Sequence, residues 1–476
     1  MARDSPSSTT AFNKLPIELN KEIAQYLDSD RDICNYRLIC RRTNDAVDGD
    51  NFSFWRIRFR ETFAMKERSG VQNNILKKQY EDRKMCLRLG TGVKFHCGNE
   101  KSERKVMQVL KDLINESYQG AVHYLSYDPW GRPLCPNQKH LINFIRNSRN
   151  LMNVKRQRSA DERVSPQLAA IQLMCAHFLF GQEKMSFNIC PFDESQKAVY
   201  ETAKVAPIFH GFNKQQVNME WVLHCLNFFR YHMMDKVTAT LRDTVAQMDA
   251  TQKPYAWCSE LQEGSYPLSK YWKGTYAYLD RHELDDIRSA TVNEFGFIDR
   301  NVEPGGTIQT LNLEFVTSRK LPWPKLFERH LHSLSRPQHP RTRAQHRPKS
   351  RNADPVSIRF TGEGEDEESF FASGWLNPLL PQPVGLEIPG WQRITFMKHF
   401  VNDDEQLDHD NLWAYEGVVL PGGRLILGRW WYADDNPEEF NTGPFILWAV
   451  EPEDFTLTPP TPVLDYGEPS EPSQNR

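Results

Sequence analysis

The chain has 476 residues, with 59 Lys and Arg against 62 Asp and Glu for a net charge of −3, and 39% of its residues are hydrophobic, 12% of the chain being aromatic. This length and apolar content suit two to four packed domains and exclude a chain that is disordered throughout. No apolar run approaches the ~18 residues of a membrane span and the first twelve residues hold no apolar signal core, so neither insertion nor secretion is expected and the location is read as cytoplasmic, nuclear or both.

Residues 1–11 are polar and expected to be disordered. Pro16 then suits the first turn of a helix on which Leu19, Ile23, Tyr26 and Leu27 fall on one apolar stripe. Asp28-Ser29-Asp30 breaks that helix and offers caps to a second, carrying Ile33, Tyr36, Arg37 and Cys40. A third runs over Arg41 to Val47, and Trp55 packs back. Three helices this short bury too little to sustain a private core, which points to a partner chain, the alternative being a helical cap packed on the rest of this chain.

The Leu-Pro-x-Glu-Leu opening at 15–19, the apolar set of the second helix, the Cys40-Arg41-Arg42 junction and the closing Trp55 resemble an F-box, assigned here to residues 12–60. The resemblance implies docking on the Skp adaptor of a cullin-RING ubiquitin ligase, through Leu15, Pro16, Ile17, Leu19, Ile23, Tyr26, Leu27, Ile33, Tyr36, Leu38, Ile39 and Cys40. One departure is Asn20, where the family usually has an apolar residue; it is expected to weaken one contact.

Residues 61–267 read as a helical middle region. Val106, Val109, Leu110, Leu113 and Ile114 form one apolar face, and Ser165-Pro166 before Leu168–Phe180 and Gly181 reads as cap, first turn, helix and stop. Asn218 to Met234 is apolar nearly all round and should be buried.

Near Tyr271 the period changes to two. Strands are expected over 272–278, 309–315, 356–360, 392–400, 413–420, 424–431 and 444–450, with Pro421-Gly422-Gly423 turning between two of them. Short strands with Gly/Pro turns and no intervening helix suggest an antiparallel β-barrel or sandwich built from 268–317 and 355–451. The fold class is therefore α+β and multidomain. Residues 318–354, basic and rich in Pro, read as a disordered insertion, and 452–476 as a disordered tail. Trp272-Lys273-Gly274-Thr275-Tyr276 and the hairpin from Tyr415-Glu416-Gly417 to Gly428-Arg429-Trp430-Trp431 resemble the C-terminal β-domain of the cyclin-D-binding group of F-box proteins and of many fungal F-box proteins. That resemblance implies a module recruiting a protein target, without naming the target.

No nucleophile elbow, phosphate-cradling Gly-rich loop or His-Glu-x-x-His pair is present, and the nine cysteines contain no Cys-x-x-Cys. No catalytic residue, cofactor or metal is expected. His330, His332, His339 and His346 lie in the Pro/Arg-rich loop, where nothing fixes ligand geometry. The basic insertion, from Arg336 to Arg351, supports an alternative, a nucleic-acid-associated or regulatory adaptor-binding protein outside a ligase; no aromatic residues interleave with its charges to stack bases.

Within the β-domain, strand parity puts Arg429 with Leu425, Leu427 and Trp431, and Lys398 with Ile394, Phe396 and Phe400, so either cation is a candidate to point inward. An inward cation framed by Trp413, Tyr415 and Trp430 would suit a substrate carboxylate. The alternative is an internal ion pair with a residue such as Glu416. The reading that results is the substrate-recognition subunit of a Skp/cullin/F-box ligase, with the adaptor, through it a cullin, and a protein substrate as partners.

Overall fold

A computed structural model describes residues 9–66, 70–96, 98–120, 126–127, 131–148, 150–152, 164–180, 189–211, 214–234, 241–290, 308–315, 357–402, 406–433 and 442–452. The expected insertion at 318–354, its four histidines, residues 1–8 and all of the tail beyond Pro452 lie outside them.

The N-terminal segment holds five helices where three were expected: α1 (Thr9–Lys14), α2 (Ile17–Gln25), α3 (Asp30–Arg37), α4 (Arg41–Asp48) and α5 (Ser53–Thr62). Pro16 is the N-cap residue of α2, one position earlier than its expected place. Ser29 caps α3 by accepting a hydrogen bond from the Asp32 amide. The segment does not stand alone. Trp55, on α5, is buried and donates its Nε1 hydrogen to Asp48 Oδ1 at 2.8 Å. Lys77 of α6 (Asn73–Leu89) reaches the same oxygen, also at 2.8 Å, and Arg37 pairs with the other. The rings of Trp55 and Tyr80 lie 5.5 Å apart, so α5 and α6 share one core with the helices beyond.

That core continues through α7 (Lys101–Asn115), α8 (Pro136–Asn147), α9 (Pro166–Ala176), α10 (Phe192–Tyr200), α11 (Met219–Met234) and α12 (Arg242–Gln247). Two small hairpins interrupt them, β1 (Ser126–Tyr127) with β2 (Pro133–Leu134), and β3 (Phe209–His210) with β4 (Gln216–Val217). Ser165 accepts from the Leu168 amide to start α9, and a 3-10 turn over His177–Leu179 ends it. α11 is buried on nearly every side because it lies between α9, α10 and the β-domain.

The β-domain is a closed antiparallel barrel of eight strands: β5 (Tyr271–Tyr276), β6 (Gln309–Glu314), β7 (Ile358–Glu365), β8 (Ser369–Pro378), β9 (Gln392–Val401), β10 (Leu407–Val419), β11 (Leu425–Tyr432) and β12 (Thr442–Ala449). Each pairs with the next in sequence, and β12 pairs with β5 to close the ring. Closure decides between barrel and sandwich. The expectation of no intervening helix fails, because α13 (Arg281–Ser289) lies between β5 and β6. Strand alternation sends Trp272, Leu313, Phe360, Phe396, Tyr415 and Phe445 into one interior cluster. Gly417 and Gly428 face each other across β10 and β11. A Cβ on Gly428 would lie 2.4 Å from the Phe445 ring, so the glycine gives that ring its place. On the outside, Leu425, Leu427, Ile446 and Trp448 belong to the helical core. Barrel and helices are thus joined by an apolar seam.

Candidate functional site

Two regions gather the residues singled out by the sequence. The first is the outer side of the N-terminal helices. Tyr26 is 85% exposed, Leu38 84% and Leu19 45%. Pro16 is exposed, while Leu15, Ile17, Ile23, Leu27, Ile39 and Cys40 are half-buried. Arg42 ties the start of α4 to the start of α2 by donating to the Leu15 carbonyl at 2.8 Å, and Arg58 of α5 donates to the Asp28 carbonyl at 2.7 Å beside Leu27. These bonds fix the presentation of an apolar surface whose other side is already packed.

Ile33 and Tyr36 depart from the expected docking set. Both are turned into the chain's own core, at 1% and 4% exposure. Tyr36 explains Asn20, too. Its hydroxyl donates to Asn20 Oδ1 at 2.8 Å, while Asn20 Nδ2 donates to the carbonyls of Phe12 at 3.2 Å and Pro16 at 3.3 Å. Burial pushes the Tyr36 phenol up to about 12, so it stays a donor at all ordinary pH. Asn20 is an interior hydrogen-bonding hub that latches α1 and α2 to α3, and it removes nothing from the outer surface.

The second region is the barrel end where β9 finishes and β10 begins. Lys398 points into the interior, where it forms an ion pair with Asp366 of the β7–β8 turn, both side chains being buried. Its Nζ lies 4.2 Å from the Phe370 ring centroid, 5.4 Å from Phe400 and 5.5 Å from Tyr276. Burial lowers its pKa, and the pairing with Asp366 only partly opposes that. Above it lies an aromatic cluster. Trp413 meets Trp430 edge to face at 5.4 Å and Tyr432 at 5.4 Å, and Trp430 stacks with Tyr278 at 6.1 Å. Trp430 donates to the Ala277 carbonyl at 3.1 Å, an approach that leaves no space for a side chain at Gly443. Tyr415 sits deeper, stacked on Phe396 at 4.5 Å. Tyr278, 48% exposed, marks the outer rim.

Arg429 is not part of this mouth. Alternation puts it on the outer face of β11, opposite in parity to its neighbour Trp430. There it is 1% exposed, 4.9 Å from the Trp221 ring, and its Nη2 donates to the carbonyls of Glu201 and Ala206, both at 3.0 Å. Burial lowers its pKa to about 10, which leaves it charged. Glu416, the carboxylate proposed as its internal partner, binds Arg393 at 2.7 Å and Lys214 at 3.1 Å instead. A substrate carboxylate framed by Arg429, Trp413, Tyr415 and Trp430 together is therefore excluded by the geometry. Lys398 is the cation that shares their side of the sheet, and it already holds Asp366.

The sequence reading missed Asp366, Tyr276, Tyr278 and Tyr432. Asp366 lies within the acidic run 363–368, where parity and composition mark no single residue. Tyr276 and Tyr278 lie in the expected strand, but only barrel closure brings them beside Trp430. Among the described residues no group of three or more His, Cys, Asp or Glu side chains is placed to hold a metal ion, and no helix is long and apolar enough to cross a membrane. Comparison with family models, with curated proteins and with solved structures finds no match to this chain.

Proposed function

We propose that this chain is the substrate-recognition subunit of a Skp/cullin/F-box ubiquitin ligase, docking on the adaptor with its N-terminal helices and recruiting a protein target with its β-barrel. The supporting observation is the division of labour among the N-terminal apolar residues. Ile33, Tyr36 and Trp55 satisfy the chain's own core, yet Leu19, Tyr26 and Leu38 stay exposed on helices held rigid from behind. A rigid, unburied apolar set is the kind of surface that a partner covers. On the barrel, the aromatic mouth of Tyr278, Trp413, Trp430 and Tyr432 is the surface assigned to the target. In this reading the chain contributes no reacting group and works by holding the target near ubiquitin carried by another subunit.

The test is co-purification of the full chain with recombinant Skp adaptor, using the double variant Leu19→Asp/Leu38→Asp. Both positions are exposed, so the fold should tolerate the change while the charges block a desolvated contact. Equal adaptor recovery by the folded variant would remove the basis of the ligase reading.

A further inference from the structure

The barrel mouth presents aromatic faces to solvent. Tyr278, 48% exposed, stacks one face on Trp430 at 6.1 Å and leaves the other open. Trp413 and Tyr432 are half-buried next to Trp430. Their hydrogen-bonding groups are already engaged, Trp413 Nε1 by Asn411 Oδ1 and the Tyr432 hydroxyl by the Asp410 carbonyl, both as donors. A partner therefore meets π surface, and the face of a ring attracts cations.

The charge around these rings is of one sign. Glu365, Glu367 and Glu368 flank Asp366 at the β7–β8 turn and are exposed. That turn reaches the rings through Lys398, which is held by Asp366, feels the Glu367 charge and stands across the sheet from Trp413. Asp408 and Asp410 lie at the start of β10, ahead of Trp413, with Asp410 bound through its carbonyl to Tyr432. None of these five outer carboxylates forms an ion pair with another described residue. Among the cations at this end, Lys398 is neutralised by Asp366, Arg288 of α13 donates to the Tyr200 carbonyl at 2.9 Å, and Arg281 is exposed beside Asp280. The sequence between β9 and β10 adds Asp403, Asp404 and Glu405, and that between β11 and β12 adds Asp434, Asp435, Glu438 and Glu439, with no Lys or Arg in either.

Taking the mouth as the target surface, as in the ligase reading on which this rests, we propose that it binds an arginine-rich segment of the target protein. Guanidinium groups stack on Tyr278 and beside the Trp413–Tyr432 pair, and they pair in charge with Glu367, Glu368, Asp408 and Asp410. Arginine suits the site better than lysine, because a planar guanidinium lies on a ring and still donates in its own plane to a carboxylate. Nucleic acids and anionic membranes carry the wrong sign for this end of the barrel.

Fluorescence anisotropy of the full chain with a labelled peptide of alternating Arg and Gly tests the proposal, with Lys/Gly and Glu/Gly peptides as controls. The Arg peptide should bind, the Lys peptide several-fold more weakly, and the Glu peptide not at all up to about 1 mM. Raising the salt from about 50 to 300 mM should weaken the Arg peptide severalfold. Glu367→Gln/Glu368→Gln/Asp408→Asn/Asp410→Asn changes charge with little change of size and should weaken it about tenfold at an unaltered melting temperature. Tyr278→Leu keeps the charge but removes an exposed ring, and should weaken the Arg peptide more than the Lys peptide. The proposal is overturned by no binding of the Arg peptide up to about 1 mM, by equal binding of the Glu peptide, or by affinity unchanged in the carboxylate variant or in Tyr278→Leu. Binding only to a chain lacking residues 325–350 would give the mouth to this chain's own basic insertion and overturn it as well. No adaptor is present in these titrations, so their failure strikes the target class alone, while the ligase reading stands or falls on adaptor recovery by Leu19→Asp/Leu38→Asp.

Discussion

Glu416 and Arg429 stand directly across from each other on β10 and β11, yet the carboxylate pairs with Arg393 and Lys214 while the guanidinium donates to the carbonyls of Glu201 and Ala206. Glu201 is the C-cap residue of α10, so Arg429 places positive charge at the negative end of a helix. A cation on the barrel thereby closes a helix of the middle region.

Arg429→Leu should therefore act on the fold. The two carbonyls would lose charge-assisted donors in a buried seam, a loss of about 2–4 kcal/mol. Urea unfolding of the free chain should show it before any partner is added. An unchanged midpoint would mean that water or a relaxed loop replaces the guanidinium.

The N-terminal surface makes the opposite prediction. Tyr26→Asp and Leu38→Asp should each shift unfolding by about 0.5 kcal/mol or less, since both side chains stand in solvent. Adaptor affinity should fall by more than about 1 kcal/mol per substitution if these residues are contact hot spots. Tyr36→Phe should reverse the pattern, because it leaves Asn20 Oδ1 without its buried donor and costs about 1–3 kcal/mol of stability. Calorimetry on the free chain and on the adaptor complex separates the two effects.

Lys398 and Asp366 form a buried pair within the barrel, with 6% and 10% of their side chains exposed. Lys398→Met strands a carboxylate and should destabilise the chain by about 3–5 kcal/mol, while Lys398→Met/Asp366→Leu should recover most of that loss. A double variant no better than the single one would show that the pair does not act as a unit.

Acid sensitivity follows from two buried histidines. Burial lowers His177 to about 4 and His232 to about 3, both from an ordinary value near 6.5. Below about pH 6.5 the unfolded chain takes up protons that the folded chain refuses, so the unfolded state gains stability as pH falls. Folding stability should be level above about pH 7 and decline between pH 6.5 and 5, by up to about 1.4 kcal/mol per pH unit for each histidine. His232→Phe, among the rings of Phe192 and Phe228, should flatten part of that slope in urea titrations at several pH values. A wild-type profile already flat to pH 5 would sink the idea.

Much of the barrel was legible because a half-buried strand writes its period into the chain, as Leu311 and Leu313 do between Thr310, Asn312 and Glu314. β8 escaped notice because Phe370-Phe371-Ala372-Ser373-Gly374 breaks the alternation where small residues admit neighbouring rings, among them Phe360 beside Gly374. Parity placed Lys398 and Arg429 on faces correctly within each strand, but which face is inside depends on how the sheet curls. That depends on pairings between β12 and β5, far apart in sequence. Likewise, the apolar stripe of Leu19, Ile23, Tyr26 and Leu27 was legible, but Asn20, expected only to weaken one contact, proved to be the residue that ties the adjoining face inward.

The barrel closes by pairing Trp272–Tyr276 with Phe445–Ala449. A ribosome that has delivered β5 must therefore add more than a hundred and fifty residues before that strand acquires its second neighbour. Until β12 emerges, β5 and β11 both offer open edges to any other nascent strand, and the outer residues Ile446 and Trp448 are missing from the helical core. A chain interrupted after β11 would thus display an unfinished sheet and a partly unfilled helical face at once, so that a late truncation strips the β12 share of the join between its two halves as well as one strand of eight.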